Sequence, residues 1–176
     1  MVRIGHRHVS HFRDTGSVLD NKGTIIFKGT CRLGNSCAVS VGKNAELIME
    51  DGFCATADVH IVCRKYIHIG RNVLVGWSAV IMDTNFHRLK DKFGDFTDDG
   101  YSDVIIGDDN WIASGCKIMQ DTKTPTNAVI AANAVLNRDY TDFGRNVLIG
   151  GTPAKLIKKD VYWDRFDDLP LYCINK

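Results

Sequence analysis

From Ile106 onward an apolar residue returns at every sixth position: Ile106, Ile112, Ile118, Ile130 and Leu136 share one phase, with Thr124 the polar exception. Ile69, Val75 and Ile81 keep the same period, as do Phe27, Leu33 and Val39. A period of six fits neither a 3.6-residue helix nor one unbroken strand, because turns must interrupt it at regular intervals. The pattern predicts a repeat solenoid with one short strand per hexapeptide. Gly34, Gly42, Gly70, Gly76 and Gly107 each follow the apolar residue, where the backbone turns or passes close to another coil. Two breaks in phase are expected. Val41 and Ile69 are 28 residues apart, which implies a register slip between about 45 and 65. The polar stretch from Thr84 to Ser102 is too irregular for a coil and is expected to leave the solenoid as a loop.

At 176 residues the chain suffices for one well-filled core, so a single domain over 1–176 is expected. Lys and Arg number 22 against 21 Asp and Glu, a net charge of +1 that provides no global field for nucleic acid or an anionic bilayer. The opening residues hold no signal-like apolar run, and no stretch is long enough to span a membrane, which points to the cytoplasm. Cys31, Cys37, Cys54, Cys63, Cys116 and Cys173 form no C-x-x-C pair and mostly adjoin small or apolar residues. They read as reduced packing residues with no part in metal binding or nucleophilic attack.

The hexapeptides resemble those of the hexapeptide-repeat acyltransferases over roughly residues 23–158. The resemblance is carried by VIIGDDNWIASGCKI, by AVIAANAV, by the Gly-x-Pro-Ala-Lys ending in GGTPAKLIKK, and by IMDTNFH. It implies an all-β chain wound as a left-handed parallel β-helix with three hexapeptides per triangular turn. A loop at about 84–102 and a short C-terminal cap at about 159–176 complete that picture. Residues 18 apart then stack: Ile112 on Ile130, Ile118 on Leu136, Ala113 on Ala131, and Ser114 on Ala132 and Gly150. Together with Gly115, Gly151 and Pro153, these small residues would leave an outer track for a long thin ligand, or would simply suit coil corners.

The activity implied is transfer of acetyl from acetyl-CoA to a hydroxyl. His87 in DTNFH matches the segment that carries the family's catalytic histidine, and an imidazole titrates near neutrality, as a general base for an alcohol requires. Asp83, or Asp98 or Asp99 on the loop, is a candidate to orient it, and Asn85 could bond the acceptor; each also reads as an ordinary turn or loop residue. Trp111 stands where the family often places a tryptophan near its active site and could wall an acceptor pocket; subunit packing would explain it equally. Lys155, then Lys158, are the candidates for the coenzyme phosphates. His6, His8 and His11 lie in an unrepetitive segment and read as solvated, and His60 and His68 as structural or surface residues.

The resemblance further implies a homotrimer with each site between two subunits, and a sugar acceptor in bacterial surface polysaccharide synthesis. Alternatives are an acetyltransferase for a free sugar, antibiotic or amino-sugar, a non-catalytic assembly protein of the same repeat, and a zinc carbonic-anhydrase-like protein. His60, His68 and His87 lack the histidine spacing of the last, and no metal is expected.

Overall fold

The computed structural model describes residues 1–7 and 9–165. Eighteen strands follow one another along these residues, with one short 3-10 turn at Thr141–Phe143. They stack into three sheets, the faces of a triangular left-handed parallel solenoid. The first face holds β1 (Val2–His6), β4 (Cys31–Asn35), β7 (Phe53–Ala57), β10 (Leu74–Val75), β13 (Trp111–Ile112), β15 (Ala128–Ile130) and β17 (Val147–Gly151). The second holds β2 (Val18–Asn21), β5 (Ala38–Val41), β8 (His60–Cys63), β11 (Val80–Met82), β14 (Lys117–Ile118) and β16 (Val135–Leu136). The third holds β3 (Thr24–Phe27), β6 (Glu46–Met49), β9 (Tyr66–Ile69) and β12 (Val104–Ile106), extended by single bridges through Lys123 to Asp139. Coiling therefore starts at Val2, ahead of the first recognisable hexapeptides.

The expected ladders form. Ile112 pairs with Val75 on one side and Ile130 on the other, and Ile118 with Ile81 and Leu136; all six are fully buried. Thr124 keeps its place in the repeat because its buried hydroxyl accepts the Gly107 N–H at 3.0 Å, which satisfies both groups inside the prism. Replacing Ile112 with Val removes one methylene from a closed stack and is expected to cost about 1 kcal/mol, read as a lower denaturant midpoint at constant m-value.

Corners explain the rest of the sequence pattern. Many of the corners turn through a left-handed residue: Asp58, Asn72, Ser78, Asp109, Asn127, Asn133 and Asn146 all take φ between 52° and 59°. Asn and Asp tolerate that conformation better than other side chains. The phase slip is also a corner effect. Val41 lies on Cys63, 22 residues later, whereas Glu46 lies on Tyr66, 20 later, because four residues turn between β5 and β6 and only two between β8 and β9. The same corner in the next coil carries the expected loop, a 21-residue excursion from Asp83 to Asp103 between β11 and β12. Its legs are bridged antiparallel at Thr84 with Tyr101 and at Lys90 with Phe96, so it is a hairpin flap.

β18 (Ala154–Lys159) turns back on β17 as an antiparallel strand and closes the first face. Beyond it, residues 160–165 run back along that face, and the remainder of the expected cap, 166–176, lies outside the described residues. Among the described residues no helix is long and apolar enough to cross a membrane.

Candidate active site

Side chains alternate on a strand, so each inward residue of the first face leaves an outward neighbour. The outward row reads Arg32, Cys54, Leu74, Trp111, Val129 and Leu148, one per coil and in register. The six successive coils of this row floor a trough of about 570 Å³. One bank is the corner that leads to the second face, where Gly76, Trp77, Ala113, Ser114, Ala131 and Ala132 lie. The other bank is the returning C-terminal segment. Trp163 packs on Trp111 with ring centroids 6.1 Å apart, and the Arg165 guanidinium donates to the Gly52 carbonyl at 3.4 Å and to Asn72 Oδ1 at 3.3 Å. Trp77, on the first bank, is itself packed by the N-terminal segment, with His11 edge-on at 5.4 Å. That contact gives His11 a ring partner in place of a purely solvated role.

The small-residue column lines this trough in part. Ala113 sits under Ala131, and Ser114 under Ala132, by continuation of the β13–β15 register. Gly150 falls beside Ala131 and not in the Ser114 row, because the 3-10 turn lengthens the last coil to 19 residues, pairing Val129 with Leu148. A methyl on Gly150 would come within 2.7 Å of the Ala131 Cβ and 2.8 Å of Ile157 Cδ1, so the chain is shaped closely there. Gly151, Pro153, Lys155 and Lys158 continue beyond this end of the trough on the hairpin of β17 and β18, with Lys155 opposite Gly150 and both lysines exposed. Gly115, with φ 71°, makes the corner next to Ser114.

His87 is elsewhere. The flap leaves the prism at the corner between the second and third faces, opposite the face that holds the trough, and His87 is exposed upon it. Asn85 caps the turn: its Oδ1 accepts the His87 backbone N–H at 3.1 Å. Thr84, almost fully buried, donates to the Gly100 carbonyl and accepts from the Phe86 N–H, which fixes the root of the flap. Asp98 accepts the Gly100 N–H at 2.7 Å, and Asp99 lies 3.8 Å from the Arg88 guanidinium. Both acids therefore brace the flap. Asp83 has no exposure, and its carboxylate accepts the backbone N–H groups of Arg64, Lys65 and Tyr66 at 2.7, 2.7 and 2.9 Å. It holds the corner of the preceding coil.

The structure thus gathers Trp111, Ala113, Ser114, Ala131 and Ala132 in one trough and sets His87, Asn85, Asp98 and Asp99 on a separate flap. Reasoning from sequence missed Arg32, Cys54, Trp163 and Arg165. Strand alternation around Cys31 and Leu33 points Arg32 outward, but no repeat signals the fold-back of Trp163 and Arg165. The described cysteines are reduced and buried, and burial pushes the Cys31 and Cys63 thiols up to about 12, which suits packing and not attack. His68 bonds Glu50 at 3.0 Å on the third face, and His60 lies 3.4 Å from Asp58 on the second.

No family model matches the chain. It is 26% identical over 147 residues to WbbJ of Escherichia coli K12, provisionally named a lipopolysaccharide biosynthesis O-acetyl transferase, covering 79% of this chain and 74% of that one. Its fold matches that of the polysialic-acid-specific acetyltransferase NeuO with a TM-score of 0.55 at 19% identity, over 88% of this chain and 74% of the other. A galactoside acetyltransferase in complex with coenzyme A superposes with a TM-score of 0.54 at 21% identity, over 78% and 64% of the two chains. The chain thus shares its fold with acetyltransferases of known structure and is similar in sequence to WbbJ.

Proposed function

We propose that this chain, an acyltransferase by kinship and fold, moves the acetyl group of acetyl-CoA to a saccharide hydroxyl in bacterial surface polysaccharide synthesis, in the cytoplasm. The observation that carries the reading is the trough itself, an apolar channel along one face with Trp111 at its middle and a wall of Ala and Gly that lets a narrow ligand lie against the backbone. Its size is in the range of small-molecule sites. Acetyl-CoA supplies an activated thioester carbonyl. Lys155 and Lys158 sit where its phosphates would meet cations, and the Ala113, Ala131 and Gly150 column is where the pantetheine arm would pass.

His87 acts as the base. Its imidazole takes the acceptor hydroxyl proton as the oxygen bonds to the thioester carbon, and it returns that proton to the thiolate when the carbon–sulfur bond breaks. No acyl-enzyme forms in this reading. Because flap and trough leave the prism on opposite sides, the base must come from a second copy, and a homotrimer with each site between two subunits satisfies this. Phe86, Leu89, Phe93 and Phe96 are all more than half exposed on the flap, as an element that packs on a neighbour requires.

The test is release of CoA thiol with a panel of sugars, nucleotide-sugars and oligosaccharides, alongside the mass in solution. Thiol release stimulated by no saccharide would defeat the reading, and a monomer active at nanomolar concentration would defeat the shared site. Lys155→Ala is expected to raise the KM for acetyl-CoA about tenfold while leaving kcat in place, since it removes one charge-assisted contact to a phosphate.

A further inference from the structure

The trough has two ends of unequal character. At the end nearest the C-terminal hairpin lie Lys155 and Lys158. At the other, two to three coils below Trp111, the side chains of Arg32 and Arg165 border Gly52 and Cys54 from opposite parts of the chain. Arg165 is half-buried, and its hydrogen bonds go to a carbonyl and an amide oxygen, neither of which neutralises it. Among the described residues neither guanidinium is ion-paired with a carboxylate. Burial pushes the Cys54 thiol up, while the positive charges of both Arg32 and Arg165 pull against it, so the two cations act on the same point at the floor. Two guanidinia without a carboxylate partner among the described residues, bordering an otherwise apolar channel, form a forked donor set suited to a carboxylate or a phosphate.

Resting on the reading of the trough as the site of acetyl transfer, we infer that Arg32 and Arg165 form an anion seat for the acceptor, and that the acceptor is an acidic saccharide. Coils in register are about 4.8 Å apart, which sets the seat about 10–14 Å along the axis from the Trp111 row. That distance exceeds one sugar ring, so the acceptor spans more than one residue, with an acidic group in the seat and the reacting hydroxyl close to Trp111. Donor and acceptor then enter one channel from opposite ends, each held by its own cations. The shared chemistry is an anionic oxygen cluster on a sugar, borne either as a carboxylate or as a phosphate ester.

The experiment measures binding by calorimetry and turnover by thiol release, with a uronic- or sialic-acid oligosaccharide, its carboxyl methyl ester, and a sugar phosphate. The Arg32 side chain makes no ion pair or hydrogen bond among the described residues, so Arg32→Gln is a clean variant. It is expected to weaken the acidic oligosaccharide about 10- to 100-fold and to leave both the methyl ester and acetyl-CoA unchanged. Arg165→Gln should do the same, and Arg165→Lys should recover part of the loss. A sugar phosphate that loses affinity in Arg32→Gln, with the carboxylate unaffected, assigns the seat to phosphate.

Equal binding of acid and ester together with a sugar phosphate indifferent to Arg32→Gln, or an Arg32→Gln variant weakened toward acetyl-CoA instead, overturns the inference. Charge-dependent binding at Arg32 without any thiol release leaves the seat and removes the acetyl transfer reading. Thiol release on neutral and acidic sugars alike, indifferent to Arg32, does the reverse.

Discussion

His87→Ala is expected to lower turnover by about 10²- to 10⁴-fold while acetyl-CoA binds as in the parent, the range that a positioned general base contributes. The geometry favours a clean result. The ring is exposed on the flap, and the bond that ties this residue to the turn is made by its backbone N–H, donated to Asn85 Oδ1 at 3.1 Å. Removing the imidazole therefore leaves the turn and the prism untouched. The check is thiol release at saturating acetyl-CoA together with calorimetric binding of the coenzyme. A mixed preparation sharpens it: if sites form between copies, His87→Ala chains co-assembled with chains blocked in the trough, for example by Ala131→Phe, should regain activity through sites that take a sound flap from one and a sound trough from the other. A variant that turns over at the parental rate removes His87 from the chemistry.

Asp83→Ala is expected to destabilise the fold by about 3–5 kcal/mol, about 10 °C in Tm for a chain of this size. Three backbone N–H groups end on this one carboxylate, which has no exposure, and alanine would leave all three without their acceptor. Asp83 is also the first residue of the flap, so its loss loosens the root of the segment that carries His87. The measurement separates two roles. If Asp83 serves to orient the imidazole, kcat falls with the midpoint of unfolding in place. If it serves the corner, the midpoint falls first, and the kcat of the fraction that remains folded at low temperature stays within a few fold.

The late coils were open to inspection in the sequence because their corners are short and uniform: Ile112, Ile118, Ile130 and Leu136 could be stacked by counting to 18, and they stack so. Counting failed wherever a corner changed length. The 3-10 turn at Thr141–Phe143 moved Gly150 by one row, and the wider corners of the early coils hid the fact that β1 and β2 already belong to the solenoid. For the site, the side chains that project from repeats were legible and those placed by tertiary contact were not. Trp111 could be set on an outward position from its neighbour Ile112. Asp83 could not be assigned to the amides of residues 64–66, because those lie in the coil below and nothing in the local sequence announces the bond. Trp163 and Arg165 follow the last repeat, and only the reversal of the chain at β18 delivers them to Trp111 and Asn72.

That reversal matters beyond the trough. A parallel solenoid that simply stopped would end in a rung of bare N–H and C=O groups, a template on which the first coil of another molecule could continue the stack indefinitely. With β18 running antiparallel to β17, the last rung of the first face points the wrong way for such growth, and it presents exposed Lys155, Lys158 and Lys159 to any newcomer. The strand that carries the candidate coenzyme lysines thus also covers the last parallel rung of one face of a self-similar architecture.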